Sequence, residues 1–196
     1  MSAGGSTRSP LLALGYSPNP SQSWPDAASA AAPGAAQRTP VLLAAPDELP
    51  GATRDFLAGR SVEDVRIVGG LGAVSPAVED EMRTLVPTTR RLAGAGRIET
   101  SLAVADAAAD AGMSRRVVQL VTGHTFPDAL VAAPATSRLG TVLVLADGRD
   151  PDGGASLYRW RRDHADEIAE VRAIGGPGAV ADDVLRKAAS DAGWPL

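Results

Sequence analysis

The chain has no cysteine and only two histidines among its 196 residues. Disulfide bonds and thiolate metal sites are therefore excluded. Two histidines leave only carboxylate-type metal sites, and no stretch has the acidic spacing of a calcium-binding loop. We expect the protein to contain no metal and no cofactor.

Aromatic residues are also scarce, at 4% of the chain, whereas hydrophobic residues make up 44%. The core is therefore expected to consist mainly of alanine, valine, leucine and isoleucine. No apolar run reaches the length needed to span a membrane, so we expect no membrane partner. Met1–Pro10 lacks the basic and apolar regions of a signal peptide. We interpret this segment as a flexible leader, which fits a mature secreted chain, a fragment or a wrongly assigned start.

Basic charge is not in excess, since 19 basic and 23 acidic residues give a net charge of −4. Binding of nucleic acid is therefore not expected, because it requires a broad basic face. A local anion site is compatible with this charge. Lys187 is the single lysine, so the other basic residues are arginines. This bias fits either a GC-rich genome or planar, bidentate contacts to anions.

Three sequence blocks occur twice, in the same order and 101 to 106 residues apart. Such ordered recurrence indicates an internal repeat, with small changes of offset falling in loops. The pairs are Trp24–Ala27 with Phe126–Ala129, Pro40–Leu43 with Thr141–Val144, and Val65–Val74 with Val171–Val180.

Short apolar runs alternate with segments of helical periodicity along both copies. Near-continuous apolar strands indicate a sheet that is covered on both faces and is therefore parallel. We predict strands at Leu11–Tyr16, Val41–Ala44, Val65–Val68, Val117–Val121, Val142–Leu145 and Val171–Ile174. We predict helices at Ser75–Leu85, Glu99–Ala111, Pro127–Arg138, Ala155–Ala165 and Ala181–Ala192. Ala27–Gln37 is expected to be a poor helix, because Pro33 and Gly34 interrupt it.

The fold class predicted by this alternation is α/β, a tandem repeat of layered lobes with mainly parallel sheets flanked by helices. The second copy opens with Arg91–Ser101, for which the first copy has no equivalent. Residues 11–86 are therefore predicted to be an incomplete first repeat and 87–196 a near-complete second one, after a leader at 1–10.

Four motifs follow one another in the second copy. They are Arg-x-x-Gly-x-x-Arg-x-Glu-Thr (Arg91–Thr100), Gly-x-x-Phe-Pro-Asp-Ala (Gly123–Ala129), a strand close to Pro-Ile-Leu-Leu (Thr141–Val144), and Gly-Gly-x-Gly-Ala-Val (Gly175–Val180). In this order they resemble the type 2 cell wall-binding repeat family of clostridial surface-layer and actinobacterial secreted proteins. The resemblance extends over about Leu11–Ala192, and it implies that each lobe is Toprim-like.

The resemblance also implies a function. Members attach secreted proteins non-covalently to anionic secondary polymers of the Gram-positive wall, so the expected partner is an anionic polysaccharide or a teichoic-acid-like polymer. The expected location is extracellular and cell wall-associated, and the expected role is non-catalytic. Family members usually pack three repeats as a pseudo-trimer. Because this chain has fewer than two full copies, we expect a homo-oligomer or further repeats of the same family.

Two kinds of residue are candidates for ligand binding. An arginine can meet a phosphate or carboxylate as a bidentate donor, and a glycine turn between strand and helix can offer backbone N–H donors. A structural role stays open for both kinds: Arg97 could balance Glu99 at a helix start, and the turns could simply require positive φ. The candidates are Arg91, Arg97, Gly69, Gly70, Gly175 and Gly176.

A catalytic interpretation is less consistent with the repeat. His124 could act as a base oriented by Asp128, but Gln22 replaces the histidine in the first copy, whereas Asp26 keeps the carboxylate. We therefore predict no catalytic residues. Two alternatives stay open: a Toprim-like nucleotide or phosphoryl-processing enzyme, for which Asp147 is one of few acidic residues near a strand end, and a structural self-assembly module.

Overall fold

The computed structural model describes residues 9–19 and 22–190. Most of the predicted leader and the last two residues of the predicted helix Ala181–Ala192 lie outside these ranges. The strands are β1 (Leu11–Leu14), β2 (Val41–Ala44), β3 (Asp64–Val68), β4 (Thr88–Leu92), β5 (Ser114–Thr122), β6 (Thr141–Ala146) and β7 (Glu170–Ala173). The helices are α1 (Pro25–Ala36), α2 (Gly51–Ala58), α3 (Pro76–Leu85), α4 (Arg97–Asp110), α5 (Pro127–Leu139), α6 (Ala155–Asp163) and α7 (Asp182–Ser190).

The strands form two sheets in which every pairing is parallel. The first sheet has the order β2-β1-β3-β4 and the second β6-β5-β7. The predicted α/β fold with repeated parallel sheets flanked by helices is confirmed. The central strands β1 and β5 also have equivalent neighbours, as the repeat requires.

The strand β4 belongs to the second repeat by sequence but to the first sheet by its pairing. By sequence it opens the second copy, yet it pairs with β3 along the edge of the first sheet. The helix α4 follows it directly and contacts both lobes: Val104 packs with Leu11 of β1, whereas Leu102 packs with the core of the second sheet. The second copy therefore contributes a strand and one helix face to the first.

The prediction that α1 is a poor helix is wrong, since α1 is continuous over 12 residues with Pro33 inside it. Pro33 and Gly34 lie in the last turn, so the hydrogen bond that proline cannot donate is lost near the end of the helix and most of α1 is unaffected. Gly34 also lets the helix approach the sheet, because a Cβ there would lie 3.0 Å from Val41 Cγ2. The helix α2 was not predicted.

The lobes meet through small side chains. Ala28 and Ala32 of α1 pack against Ala129 and Ala132 of α5, together with Leu145 of β6. Alanines allow two helices to approach closely while both still cover their sheets. In a neighbouring cluster, Ala30 of α1 packs with Val104 of α4, and this packing positions the two helices whose first turns border the candidate site.

Candidate ligand-binding cleft

A cleft of about 340 Å³ lies where the two lobes meet. The turn after β3, the loop after β4 and the first turns of α1 and α4 line it. The carboxyl ends of parallel strands lie at one edge of a sheet, which is where ligands bind in open α/β folds. We call it the Arg97 cleft; its lining includes Asp26, Gly70, Ala73, Gly94, Gly96 and Arg97.

Arg97 is the first residue of α4 and is partly exposed. Its Nη1 donates to the carbonyl oxygen of Gly123 at 2.6 Å, and its guanidinium carbon lies 5.8 Å from the centre of the Trp24 ring. Within the described residues it forms no ion pair. The pairing of Arg97 with Glu99 is therefore not formed; Glu99 Oε1 instead accepts a hydrogen bond from Ser156 at 2.6 Å.

Asp26 lies across the cleft from Arg97 and is only 8% exposed. Burial raises the pKa of its carboxyl from 3.8 to about 6, and the charge of Arg97 opposes that rise. Its Oδ2 packs against Gly69, where a Cβ would lie 2.4 Å away and where φ is +122°. The sequence showed that Asp26 recurs as Asp128, but Asp26 was not among the predicted ligand-binding residues.

The second lobe repeats this contact. Gly175 has φ +104°, and a Cβ there would lie 2.7 Å from Asp128 Oδ2. Gly69 is buried, however, whereas Gly175 and Gly176 are exposed. The structure therefore places Gly70 in the cleft with Arg97, keeps Gly69 buried against Asp26, and leaves Gly175 and Gly176 on the surface of the other lobe.

Arg91 holds the glycine turn of the first lobe in place. Its Nη1 donates to the carbonyl oxygen of Gly69 at 2.7 Å, and Nε and Nη2 donate to Glu79 Oε2 at 3.0 and 2.6 Å. The side chain is 15% exposed. Its donors are thus occupied within the chain, next to the cleft and not inside it.

His124 contacts a different carboxylate from the one that the sequence suggested. Its Nε2 lies 2.8 Å from Asp147 Oδ1, not beside Asp128. The hydrogen bond from His124 lowers the pKa of Asp147, and the backbone N–H groups of Arg149 and Asp150 add to this effect. The pair lines a second cleft that also contains Arg97. In the part of the chain that the structure describes, no three acidic, histidine or cysteine side chains converge to hold a metal ion.

The model of the family Cell wall binding domain 2 (CWB2) matches residues 6–79 and 91–185. The chain belongs to this family. It is therefore a cell wall-binding module. Two family matches in one chain agree with the internal repeat.

Relatives and solved structures extend this comparison. The chain is 26% identical over 165 residues to N-acetylmuramoyl-L-alanine amidase LytC of Bacillus subtilis (strain 168), covering 84% of this chain and 32% of that protein. It resembles the structures of Cwp6 and Cwp8 from Clostridium difficile, each at 21% identity, with TM-scores of 0.80 and 0.73. These matches cover 94% and 95% of this chain, but 27% and 30% of those chains. The chain thus spans about a third of the length of these proteins. Among the described residues, no helix is both long and apolar enough to cross a membrane.

Proposed function

We propose that this CWB2 chain holds a secreted protein at the Gram-positive cell wall, outside the cell, by binding an anionic secondary polymer at the Arg97 cleft. The polymer is a polysaccharide or a teichoic-acid-like chain. The observation that carries this proposal is Arg97 itself, a partly exposed guanidinium with no ion-pair partner in the described residues, at the rim of a cleft between lobes. An anionic group there would gain a charge-assisted hydrogen bond.

The start of α4 adds to the attraction. The N-cap residue of α4 is Gly96, and no side chain caps the helix. Its first N–H groups have no partner within the helix and carry the positive end of the helix dipole. Gly70 lines the same cleft with backbone alone, which leaves room for a bulky polymer. Gly69 and Arg91 act here as positioning residues, because Arg91 fixes the Gly69 carbonyl.

The pair of His124 and Asp147 supports a non-catalytic role for the chain. His124 and Asp147 form a pair only in the second lobe, since Gln22 occupies the position of His124 in the first. The match to the amidase LytC covers only 32% of that protein. We infer that any enzymatic activity associated with such a module belongs to other parts of a longer protein.

Arg97→Ala tests the binding proposal. We expect the variant to lose most retention on purified Gram-positive walls, and wild-type retention to fall as salt rises, because exposed charges are screened. Arg138→Ala is the matched control: it removes one positive charge from an exposed position at the end of α5. Full retention of the Arg97→Ala variant, or retention that is independent of salt, would contradict the proposal.

We also infer that another repeat of this family covers the second lobe, supplied by a longer protein or by a second chain. In the first sheet, β3 pairs with β4 at its outer edge. The equivalent strand of the second sheet, β7, has no such neighbour within residues 9–19 and 22–190. Residues 11–86 and 87–196 remain our proposed repeat boundaries, with β4 as the strand that links one repeat to the next.

The exposed face of α5 supports the same inference. Leu130 and Val131 are 57% and 74% exposed. They occupy the positions of Ala28 and Ser29 in α1, which are buried. An exposed apolar face of this kind marks an interaction surface. The exposure of Gly175 fits a missing β4-like strand, because β4 and Arg91 cover Gly69 in the first lobe.

A further inference from the structure

Among the described residues, the lining of the Arg97 cleft contains two ionisable side chains, those of Arg97 and the buried Asp26. We propose that the cleft takes up an anionic group together with one proton, which the Asp26 carboxylate accepts. This proposal rests on the proposed function and specifies how the same site is regulated. It predicts that binding strengthens as the medium becomes more acidic.

The geometry gives Asp26 this role. Its side chain is more than nine-tenths buried, lines the cleft, and receives no hydrogen bond from the described residues. Within the described residues, its negative charge is opposed by the charge of Arg97. An anion that binds Arg97 would place a second negative charge beside a carboxylate that is largely shielded from water. Like charges in one site cannot both stay ionised at low cost, so one of them takes up a proton.

The other charged groups around the cleft are already engaged. On α4, Glu99 accepts a hydrogen bond from the Ser156 hydroxyl. On β4, Arg91 donates a hydrogen bond to Glu79 of α3. The other carboxylate oxygen of Glu79 accepts a hydrogen bond from Arg83.

On the side of α5, Asp128 contacts its own glycine turn, and His124 is paired with Asp147. Across α1 itself, Asp26 is the single ionisable residue. Asp26 is therefore the group that responds to a new charge at Arg97.

The electrostatics of the free protein support this response. Burial raises the pKa of Asp26 to about 6, and the positive charge of Arg97 keeps it from rising further. An anion that neutralises Arg97 removes this restraint, so the pKa of Asp26 rises on binding. By linkage, a group whose pKa rises on binding makes affinity increase as pH falls through that range.

The second lobe supplies a matched control. Asp128 occupies the position of Asp26 and contacts Gly175 in the same way, but it does not line the Arg97 cleft. Asp128→Asn should therefore leave the pH dependence unchanged. Asp26→Asn keeps the shape of the side chain and removes the titrating proton, so its affinity should no longer depend on pH.

Sulfate is a suitable probe, because its charge is constant between about pH 5 and about pH 8, where an acid with a pKa near 6 titrates. Sulfate binding would be followed by NMR through the amide shifts of Gly94 and Gly96. For the wild type, the affinity should fall by up to about tenfold for each pH unit above 6. The Asp128→Asn variant should behave in the same way, and Asp26→Asn should bind equally at all pH values. An equal pH dependence in wild type and Asp26→Asn would overturn the proposal.

Wall retention over the same pH range separates this proposal from the proposed function. If the chain is not retained at any pH while sulfate binding shows the predicted proton linkage, the proposed function fails and the proton-linked site stands. If retention is strong but identical for wild type and Asp26→Asn at every pH, the proton-linked site fails and wall binding stands.

Discussion

At the scale of residues, Asp26 and Gly69 form one packing unit, and Asp128 and Gly175 form its copy. In each unit an aspartate in the first turn of a helix lies against a glycine whose φ is positive. Any side chain at the glycine would meet the carboxylate and strain the backbone. Two of the three blocks that define the repeat, the one with Pro-Asp-Ala and the one with the glycine turn, are therefore in contact with each other. The sequence spacing does not reveal this contact.

Gly69→Ala should destabilise the protein by about 1–3 kcal/mol, because alanine is strained at φ +122° and its Cβ would lie 2.4 Å from Asp26 Oδ2. Chemical denaturation gives the free energy of unfolding. Gly72→Ala is the control, since a Cβ at Gly72 meets nothing within 4 Å and its φ is not in the positive range. Equal stability of the two variants would show that the contact with Asp26 is unimportant.

Asp26→Asn should change how stability depends on pH. The pKa of Asp26 is about 6 in the folded chain against 3.8 as its ordinary value, so the folded state binds the proton more tightly. The wild type is thus fully stabilised below pH 3.8 and loses up to ~3 kcal/mol as pH rises through 6. Relative to the wild type, the free energy of unfolding of the variant should therefore increase as pH rises through this range. Above the range, the difference between the two proteins should be constant. Thermal unfolding across the same pH range measures this, and a constant difference at all pH values would contradict it.

At the scale of elements, β4 and α4 are the parts that join the lobes. The pair of Arg91 and Glu79 fastens β4 to α3, with both side chains less than a sixth exposed. The alanine contacts between α1 and α5 complete the connection. The cleft therefore exists only because the opening segment of one repeat is packed on the preceding one.

Arg91→Ala should destabilise the chain by about 2–4 kcal/mol, because it leaves Glu79 without its buried partner and frees the Gly69 carbonyl. Arg83→Ala removes a partner of the same Glu79, but Arg83 is 56% exposed. Its loss should cost at most ~1 kcal/mol. Free energies of unfolding from urea titrations compare the two variants, and a larger effect for Arg83→Ala would refute this assignment.

The sequence predicted the three repeated strand pairs, because a parallel strand buried on both faces is a continuous apolar run. It predicted neither the strand β4 nor its pairing, since Thr88–Leu92 is half-buried at a sheet edge and its partner β3 belongs to the other repeat. The continuity of α1 also depends on packing that local sequence does not encode. In the site, a motif indicated Arg97, whereas the burial of Asp26 depends on packing against residues distant in sequence, such as Gly69.

At the scale of the whole molecule, residues 9–19 and 22–190 give the second lobe no equivalent of the strand β4 and helix α4 that the second copy provides to the first. The edge of β7, which pairs with no further strand in the part of the chain that the structure describes, lies on the same lobe as the exposed face of α5 and the exposed turn at Gly175. All three are explained by one absent neighbour with the character of β4 and α4. We therefore propose that the assembly continues beyond the two copies in this chain, through a further repeat or a second chain.

Concentration-dependent self-association is the expected behaviour of this chain alone, measured by sedimentation velocity or light scattering. Val131→Asp should weaken it, because Val131 is an apolar side chain of α5 that is 74% exposed. Leu71→Asp is the control, as Leu71 is 60% exposed on the first lobe. A monodisperse, well-folded monomer at high micromolar concentration would defeat the prediction that a second chain can act as the neighbour.

Co-sedimentation with purified Gram-positive walls, before and after chemical removal of their anionic secondary polymers, tests wall binding most directly. The walls keep their peptidoglycan in both cases, so the comparison isolates the polymer. The proposal predicts that the chain sediments with intact walls and stays in solution with stripped ones. Equal retention on both, or no retention on either, would contradict it.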